Sequence, residues 1–214
     1  MSEFGGFTRK APAFFAGLAA DNSKDYYKAN EAIFKDEVLA PMKALAAALP
    51  ASRQPYKLFR LHRDVRFARD KSPYKLWQGA LHQRPGGSMN YFHLGADGLL
   101  LAAGMHQMSS AQLARFRQAI ADEHSGTTLE AVLARLSRAG QDIEGGLEAP
   151  LVRVPRGFDP AHPRAQWLKW KGLMCTRRLG TTKIGPKAKL PEQLEAFWQE
   201  TDALTSWLDE YVGA

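Results

Sequence analysis

Tyr91-Phe-His-Leu94, then Gly95-Ala-Asp-Gly98, then Leu99-Leu-Leu-Ala-Ala103 is the stretch from which the fold is read. Two apolar runs of strand length flank a short segment that begins and ends in glycine, so the chain turns back on itself as a β-hairpin. A sheet that contains a hairpin is antiparallel there, because strands that are neighbours in sequence become neighbours in space.

Upstream of the hairpin, Leu58 to Ala68 alternates as a strand does. Phe59, Leu61, Val65 and Phe67 fall on one face and Arg60, His62, Asp64 and Arg66 on the other, with Arg63 interrupting the apolar side. Ser72-Pro73 supplies a cap oxygen and a first-turn proline, which predicts a helix through Tyr74, Leu76, Trp77 and Leu81. It ends before Arg84-Pro85-Gly86-Gly87. Nearer the N-terminus, Phe14-Phe15-x-x-Leu18 reads as a short helix closed by Asp21-Asn22-Ser23, which can cap a second one. Ala29 to Leu49 carries Ile33, Phe34, Val38, Leu39, Met42, Leu45 and Leu49 at helical steps. Pro41 must kink or restart that helix, since it lacks an N–H and crowds the preceding turn.

Downstream, Ser109-x-x-Gln112 and Thr127-x-x-Glu130 read as two capping boxes, each opening a helix. Leu151 to Val154 reads as a short strand closed by Pro155, and His162-Pro163 starts a helical turn through Trp167, Leu168 and Trp170. Thr176 to Ala188 is basic and aperiodic, the pattern of a loop. Pro191 opens a last helix whose stripe is Leu194, Phe197, Trp198, Leu204, Trp207, Leu208 and Tyr211. There is no repeat, no β-α-β alternation and no low-complexity linker. The expectation is one α+β domain over residues 1–214, with a small, largely antiparallel sheet, a central hairpin, and packing helices from both ends of the chain.

Composition excludes several classes. Hydrophobic residues make up 45% and charged residues 24% of 214, which is ordinary globular usage and neither disorder nor a collagen-like repeat. Cys175 is the single cysteine, so there is no internal disulfide and no Cys-rich zinc site. No signal pattern opens the chain and no apolar run approaches about 18 residues, so the expectation is a cytoplasmic protein with no membrane partner.

The net charge of +7 is concentrated in two places. Lys57, Arg60, Arg63, Arg66, Arg69, Lys71 and Lys75 stand against only Asp64 and Asp70. From Arg164 to Lys189 there are Arg164, Lys169, Lys171, Arg177, Arg178, Lys183, Lys187 and Lys189 and no acidic residue. Brought together, these segments make one anion-attracting surface; kept apart, they make two solvated basic faces.

The first segment has the greater chemical potential. Arginine forks suit phosphate or carboxylate oxygens, and a helix start at Ser72 adds free N–H groups and a dipole. The functional reading is an anion site formed by Arg60, His62, Asp64, Arg66, Asp70, Lys71, Ser72 and Lys75. Its ligand would be a phosphate-bearing small molecule, a nucleotide or nucleic acid. The alternative from the same residues is a ladder of ion pairs, Asp64 with Arg60 and Arg66 and Asp70 with Lys75. An enzyme in the same pocket would use His62 or Asp64 as general base, with Arg60 and Arg66 stabilising developing negative charge. An interaction module would only dock an acidic partner.

Arg63-Asp-Val-Arg-Phe-x-x-Asp70-Lys-Ser-Pro-Tyr-Lys75 resembles the signature of a widespread microbial family, the domain of unknown function 2461. The likeness extends to Phe14-Phe15-x-x-Leu18, Asp21-Asn22 and Asn30, to the hairpin, and to Arg153-Val-Pro-Arg-Gly-Phe-Asp-Pro-x-His162-Pro163. Tyr26-Tyr27 departs from an expected tryptophan–phenylalanine pair but keeps aromatic character. The resemblance implies a single domain over most of the chain; it implies no reaction and no catalytic residues.

Other constellations are weaker. Six histidines (62, 82, 93, 106, 124, 162) show no metal-ligand spacing, although His62, His93 and Asp64 would make a ligand set if they met across a sheet. Asp64, Asp70 and Lys71 resemble a metal nuclease set, but the surrounding arginines repel a cation. Cys175 beside Arg177-Arg178 reads as inert packing more readily than as an activated thiol. Trp167 and Trp170 among lysines and arginines read either as a buried stripe or as a stacking surface for single-stranded bases. No cofactor and no metal is called for, and the sequence sets no oligomeric state.

Overall fold

The computed structural model describes residues 4–66 and 69–213. In chain order the elements are α1 (Lys10–Ala20), α2 (Lys24–Ala29), α3 (Glu31–Ile33), a π-helical segment (Phe34–Leu39), α4 (Ala40–Ala48), β1 (Lys57–Leu58), β2 (Trp77–Gln83), β3 (Met89–Gly95), β4 (Gly98–Met105), α5 (Ser110–Ala121), α6 (Glu123–Arg138), β5 (Asp142–Glu144), α7 (Ala165–Leu168), β6 (Leu173–Gly180) and α8 (Leu190–Tyr211). The six strands form one antiparallel sheet in the order β1-β2-β3-β4-β6-β5, so the fold is α+β. The hairpin that predicts the fold is β3–β4. Gly98 closes its turn at φ +115°, and a Cβ there would strike the Leu179 carbonyl, so only glycine fits.

The chain clusters into two compact units, Met1–His82, Tyr91–Leu101 and Arg178–Ala196 in the first, and Gln83–Asn90, Ala102–Arg177 and Phe197–Ala214 in the second. In the first unit, α1 buries Phe14, Phe15 and Leu18, the π-helical segment buries Phe34 and Val38, and α4 buries Met42 and Leu45. The helix expected over 29–49 restarts at Pro41, as its chemistry requires. The proline sits in the first turn of α4, where no N–H is needed, and the ladder before it loosens into π turns. Gln78, Ala80, His82, Phe92 and Leu94 are buried on one side of β2 and β3, while Trp77, Tyr91 and His93 are half-buried on the other.

In the second unit, the Ser109–Gln112 capping box opens α5 as expected. Thr127-x-x-Glu130 is not a helix start. Asp122 Oδ1 accepts the Ser125 N–H at 2.9 Å and so caps α6 one turn earlier. Arg164, 3% exposed, ties this corner: its guanidinium donates to the Ile120 carbonyl at 2.7 Å and to Glu123 and Glu130 at 3.1 Å each.

Four further sequence expectations are corrected. The strand over 58–68 shrinks to β1 and one isolated bridge, His62 with Tyr74; Phe67 and Ala68, assigned to that strand, lie outside the described residues. The helix from Ser72 is instead an irregular stretch leading into β2. Trp77 and Leu81, four apart, mimic a helical stripe, but Gly79 between them has Tyr91 Oη 2.7 Å from where its Cβ would lie, the packing of a strand. Leu151–Val154 forms no ladder; the Leu151 N–H goes to the Lys169 carbonyl at 2.9 Å. Thr176–Ala188 begins inside β6, whose Leu173 to Thr176 are all buried, so no alternation betrays the strand.

Candidate functional site

The described residues between Arg60 and Lys75, on either side of 67 and 68, fold back on each other as an arm of the first unit. Its base is closed by backbone bonds, Arg63 N–H to the Pro73 carbonyl at 2.8 Å and Lys75 N–H to the Leu61 carbonyl at 2.9 Å. Asn22 grips the same place from α2's flank: its amide donates to the Tyr74 carbonyl at 3.0 Å and accepts the Tyr74 N–H at 3.1 Å. The Tyr74 ring stacks on Tyr27 with centroids 4.8 Å apart, and the exposed His62 ring lies 4.9 Å from Tyr74 and 5.8 Å from Tyr27.

The charged side chains of the arm divide into two groups. Asp64 is held by Arg66 through bonds of 2.9 and 2.6 Å, which keep its carboxyl below the usual range. Asp70 accepts the Ser72 hydroxyl at 2.6 Å and the Ser72 N–H at 2.9 Å and pairs with Arg63; the serine first and the arginine second hold its carboxyl far below the usual range. Ser72 is therefore a donor in a turn and not a helix cap, so the helix-dipole part of the anion reading falls away. The ion-pair ladder also differs from expectation: Asp64 takes Arg66 alone, and Asp70 takes Arg63 in place of Lys75. Lys57, Arg60, Arg69, Lys71 and Lys75 have no carboxylate partner among the described residues. Lys71 Nζ donates to the Val65 carbonyl at 3.0 Å, and Lys75 Nζ to the carbonyls of Arg60 at 2.6 Å and His62 at 3.1 Å.

Beside the base of the arm lies an aromatic cluster that the sequence reading leaves out. Lys75 Nζ stands 5.7 Å from the Trp77 ring centroid. Trp77 stacks on His93 at 5.4 Å and 24°, and Phe59 lies 6.0 Å from Trp77 and 6.1 Å from Tyr91. Tyr91 Oη is 3.0 Å from His93 Nδ1. Burial first and the charge of Arg178 on β6 second lower the His93 pKa to about 4; burial also raises that of Tyr91. His93 is thus a neutral ring at physiological pH. The same desolvation, with Arg63 nearby, lowers Lys75. The sequence signal for this cluster is the alternation Tyr91-x-His93 on the hairpin strand, which brings two polar-tipped rings to one face.

The second basic segment also divides. In the second unit Arg164 pairs with Glu123 and Glu130, Lys171 with Glu148 at 2.8 Å, and Arg177 with Glu200 at 2.7 Å. In the first unit Arg178, Lys183, Lys187 and Lys189 have no carboxylate partner among the described residues. The Trp170 ring packs over Gly145, where a Cβ would lie 2.6 Å from it, so this tryptophan serves packing.

The family model described as "Conserved hypothetical protein (DUF2461)" matches residues 10–207. The chain belongs to this family. No curated protein and no solved structure matches it. In this DUF2461 chain the arm lies within the matched residues, and Asn22 is the residue that pins the arm's base. Among the described residues no three His, Cys, Asp or Glu side chains are grouped to hold a metal ion. His62 meets Tyr27 and Tyr74, while His93 meets Trp77 and Tyr91. Cys175 is buried, and burial pushes its thiol up to about 12, the state of an inert side chain. Among the described residues no helix is long and apolar enough to cross a membrane.

Proposed function

We propose that this DUF2461 protein binds a phosphate-bearing anion on its first unit, through the cations that no carboxylate neutralises. The observation that carries the reading is how the pairs are distributed. Both acidic residues of the arm are occupied by Arg63 and Arg66, which leaves Arg60, Lys71 and Lys75 uncompensated. Arg178 is close enough to His93 to act on its charge, and His93 stacks on Trp77 beneath Lys75. Residues of both basic segments thus border one aromatic cluster. Uncompensated cations beside half-buried rings attract anions more strongly than they would in open water, because the local dielectric is lower.

A thermal-shift screen tests this. Wild type and an Arg60→Gln/Arg178→Gln double variant, both positions being exposed, would be melted with phosphate, sulfate, nucleotides, and short DNA and RNA. A ligand at about a hundred times its dissociation constant adds about 2.7 kcal/mol to stability. The expected result is a shift with phosphate-bearing ligands that is reduced in the double variant, with the unliganded variant melting as wild type does. No shift with any anion, or a shift of equal size in the variant, would overturn the reading.

A further inference from the structure

We infer that the half-buried aromatic face formed by Phe59, Trp77, Tyr91 and His93, with Lys75 and Arg178 at its two sides, is a base-stacking shelf for single-stranded nucleic acid. This rests on the anion-binding reading and names its ligand.

A sheet face left without full cover ordinarily carries polar side chains alternating with the buried ones. Here the face opposite Gln78, Ala80, Phe92 and Leu94, which are at most 1% exposed, carries the rings Trp77, Tyr91 and His93 beside Gly79 and Leu81. Cross-strand ring pairs do support a sheet, but four rings in mutual contact, with Gly79 leaving room for Tyr91 between them, exceed what two strands need. Every base has a π-face, so a ring surface binds bases of any sequence, and nearby cations track the phosphates.

Charge selects the occupant. The cations that border the rings are Lys75, whose ammonium lies over Trp77, and Arg178, two strands over from His93 and within reach of its charge. No carboxylate pairs with either among the described residues. An acidic peptide would answer the cations but leave the ring faces unused; a nucleobase with its phosphate answers both. Spacing then favours a strand over a mononucleotide. Trp77 on β2 and Arg178 on β6 are three strand positions apart, about 14 Å, so cations stand at both ends of a surface wider than one base. The neutral His93 ring, stacked on Trp77 through one face, extends the ring surface without adding a charge.

The test is fluorescence anisotropy with a labelled thymidine oligonucleotide of about twelve nucleotides, within the range one such surface covers. Its competitors are an abasic strand of equal length, the same sequence as duplex, and a free mononucleotide. The inference expects the abasic strand, the duplex and the mononucleotide each to bind at least about tenfold more weakly than the oligonucleotide. Trp77→Leu should lose about tenfold and Trp77→Phe little, with circular dichroism confirming that both are folded. Equal binding of the abasic strand, the duplex or the mononucleotide overturns the shelf while leaving anion binding intact. Absence of binding to every polyanion overturns both. The abasic comparison uses the wild-type protein, so it decides even where Trp77→Leu does not fold.

Discussion

Asn22 holds Tyr74 by both of its backbone groups, donating to the carbonyl at 3.0 Å and accepting the N–H at 3.1 Å. A side-chain amide here stands in for the neighbouring strand that this edge of the chain lacks. The arm from Arg60 to Lys75 is therefore fixed at its base by a residue distant in sequence and left charged along its length. Replacing Asn22 by leucine strands two part-buried backbone groups and should cost about 1–3 kcal/mol. Urea denaturation would read the loss, and limited proteolysis should show cleavage between Arg63 and Lys71 rising before the rest of the chain is cut. An unchanged midpoint would mean that the arm is held by its own backbone bonds.

Gly126 gives a prediction whose sign goes against helix propensity. Glycine to alanine inside a helix ordinarily stabilises by about 1 kcal/mol. In α6, however, the new Cβ would lie 2.5 Å from the Ile120 carbonyl oxygen and 2.5 Å from Nε of the buried Arg164. Overpacking costs about 1–3 kcal/mol, and the carbonyl cannot swing away as a side chain can. Gly126→Ala should therefore destabilise, by chemical denaturation; a gain in stability would show that Arg164 is free to shift.

His93 sets a pH limb. Its folded pKa of about 4 lies below the ordinary value of 6.5, so the unfolded chain takes up a proton first as pH falls. Stability from this group is complete above about 6.5, declines as pH drops toward 4, and is constant below it. His106, lowered by burial as well, adds to the same limb. The difference between wild type and His93→Gln isolates the first. The variant's stability should fall less steeply between pH 6.5 and 4, and the His93 ring protons should not titrate near pH 6 in an NMR series.

Much of the fold follows from local chemistry. The hairpin's glycines, the Ser109–Gln112 box, Pro41 and the long stripe of α8 each place an element by sequence alone. One error has its cause in burial: where residues are buried on both faces, as in Leu173 to Thr176, no alternation remains to be read. Ser72-Pro73 misleads differently. The serine hydroxyl is claimed by Asp70, two residues earlier, before it can cap anything. Of the candidate site, the charged arm is legible from its run of basic residues, while the aromatic cluster is not. Trp77, Tyr91 and His93 become neighbours only when β2 pairs with β3.

Cys175 should be silent toward thiol reagents. It is fully buried on β6, and its raised pKa leaves almost no thiolate at neutral pH. Ellman's reagent should report no thiol in the native protein and one after denaturation. Reaction under native conditions would show that β6 opens locally.

The most direct test of anion binding by uncompensated cations is its dependence on salt. Affinity for inorganic polyphosphate, which has charge but no bases, would be measured by calorimetry between about 50 and about 200 mM salt. The account predicts a steep fall in affinity with salt in the wild type, and a slope smaller by about one for each cation removed at Arg60 or Arg178. Binding that is indifferent to salt, or a slope that both variants leave unchanged, would contradict it.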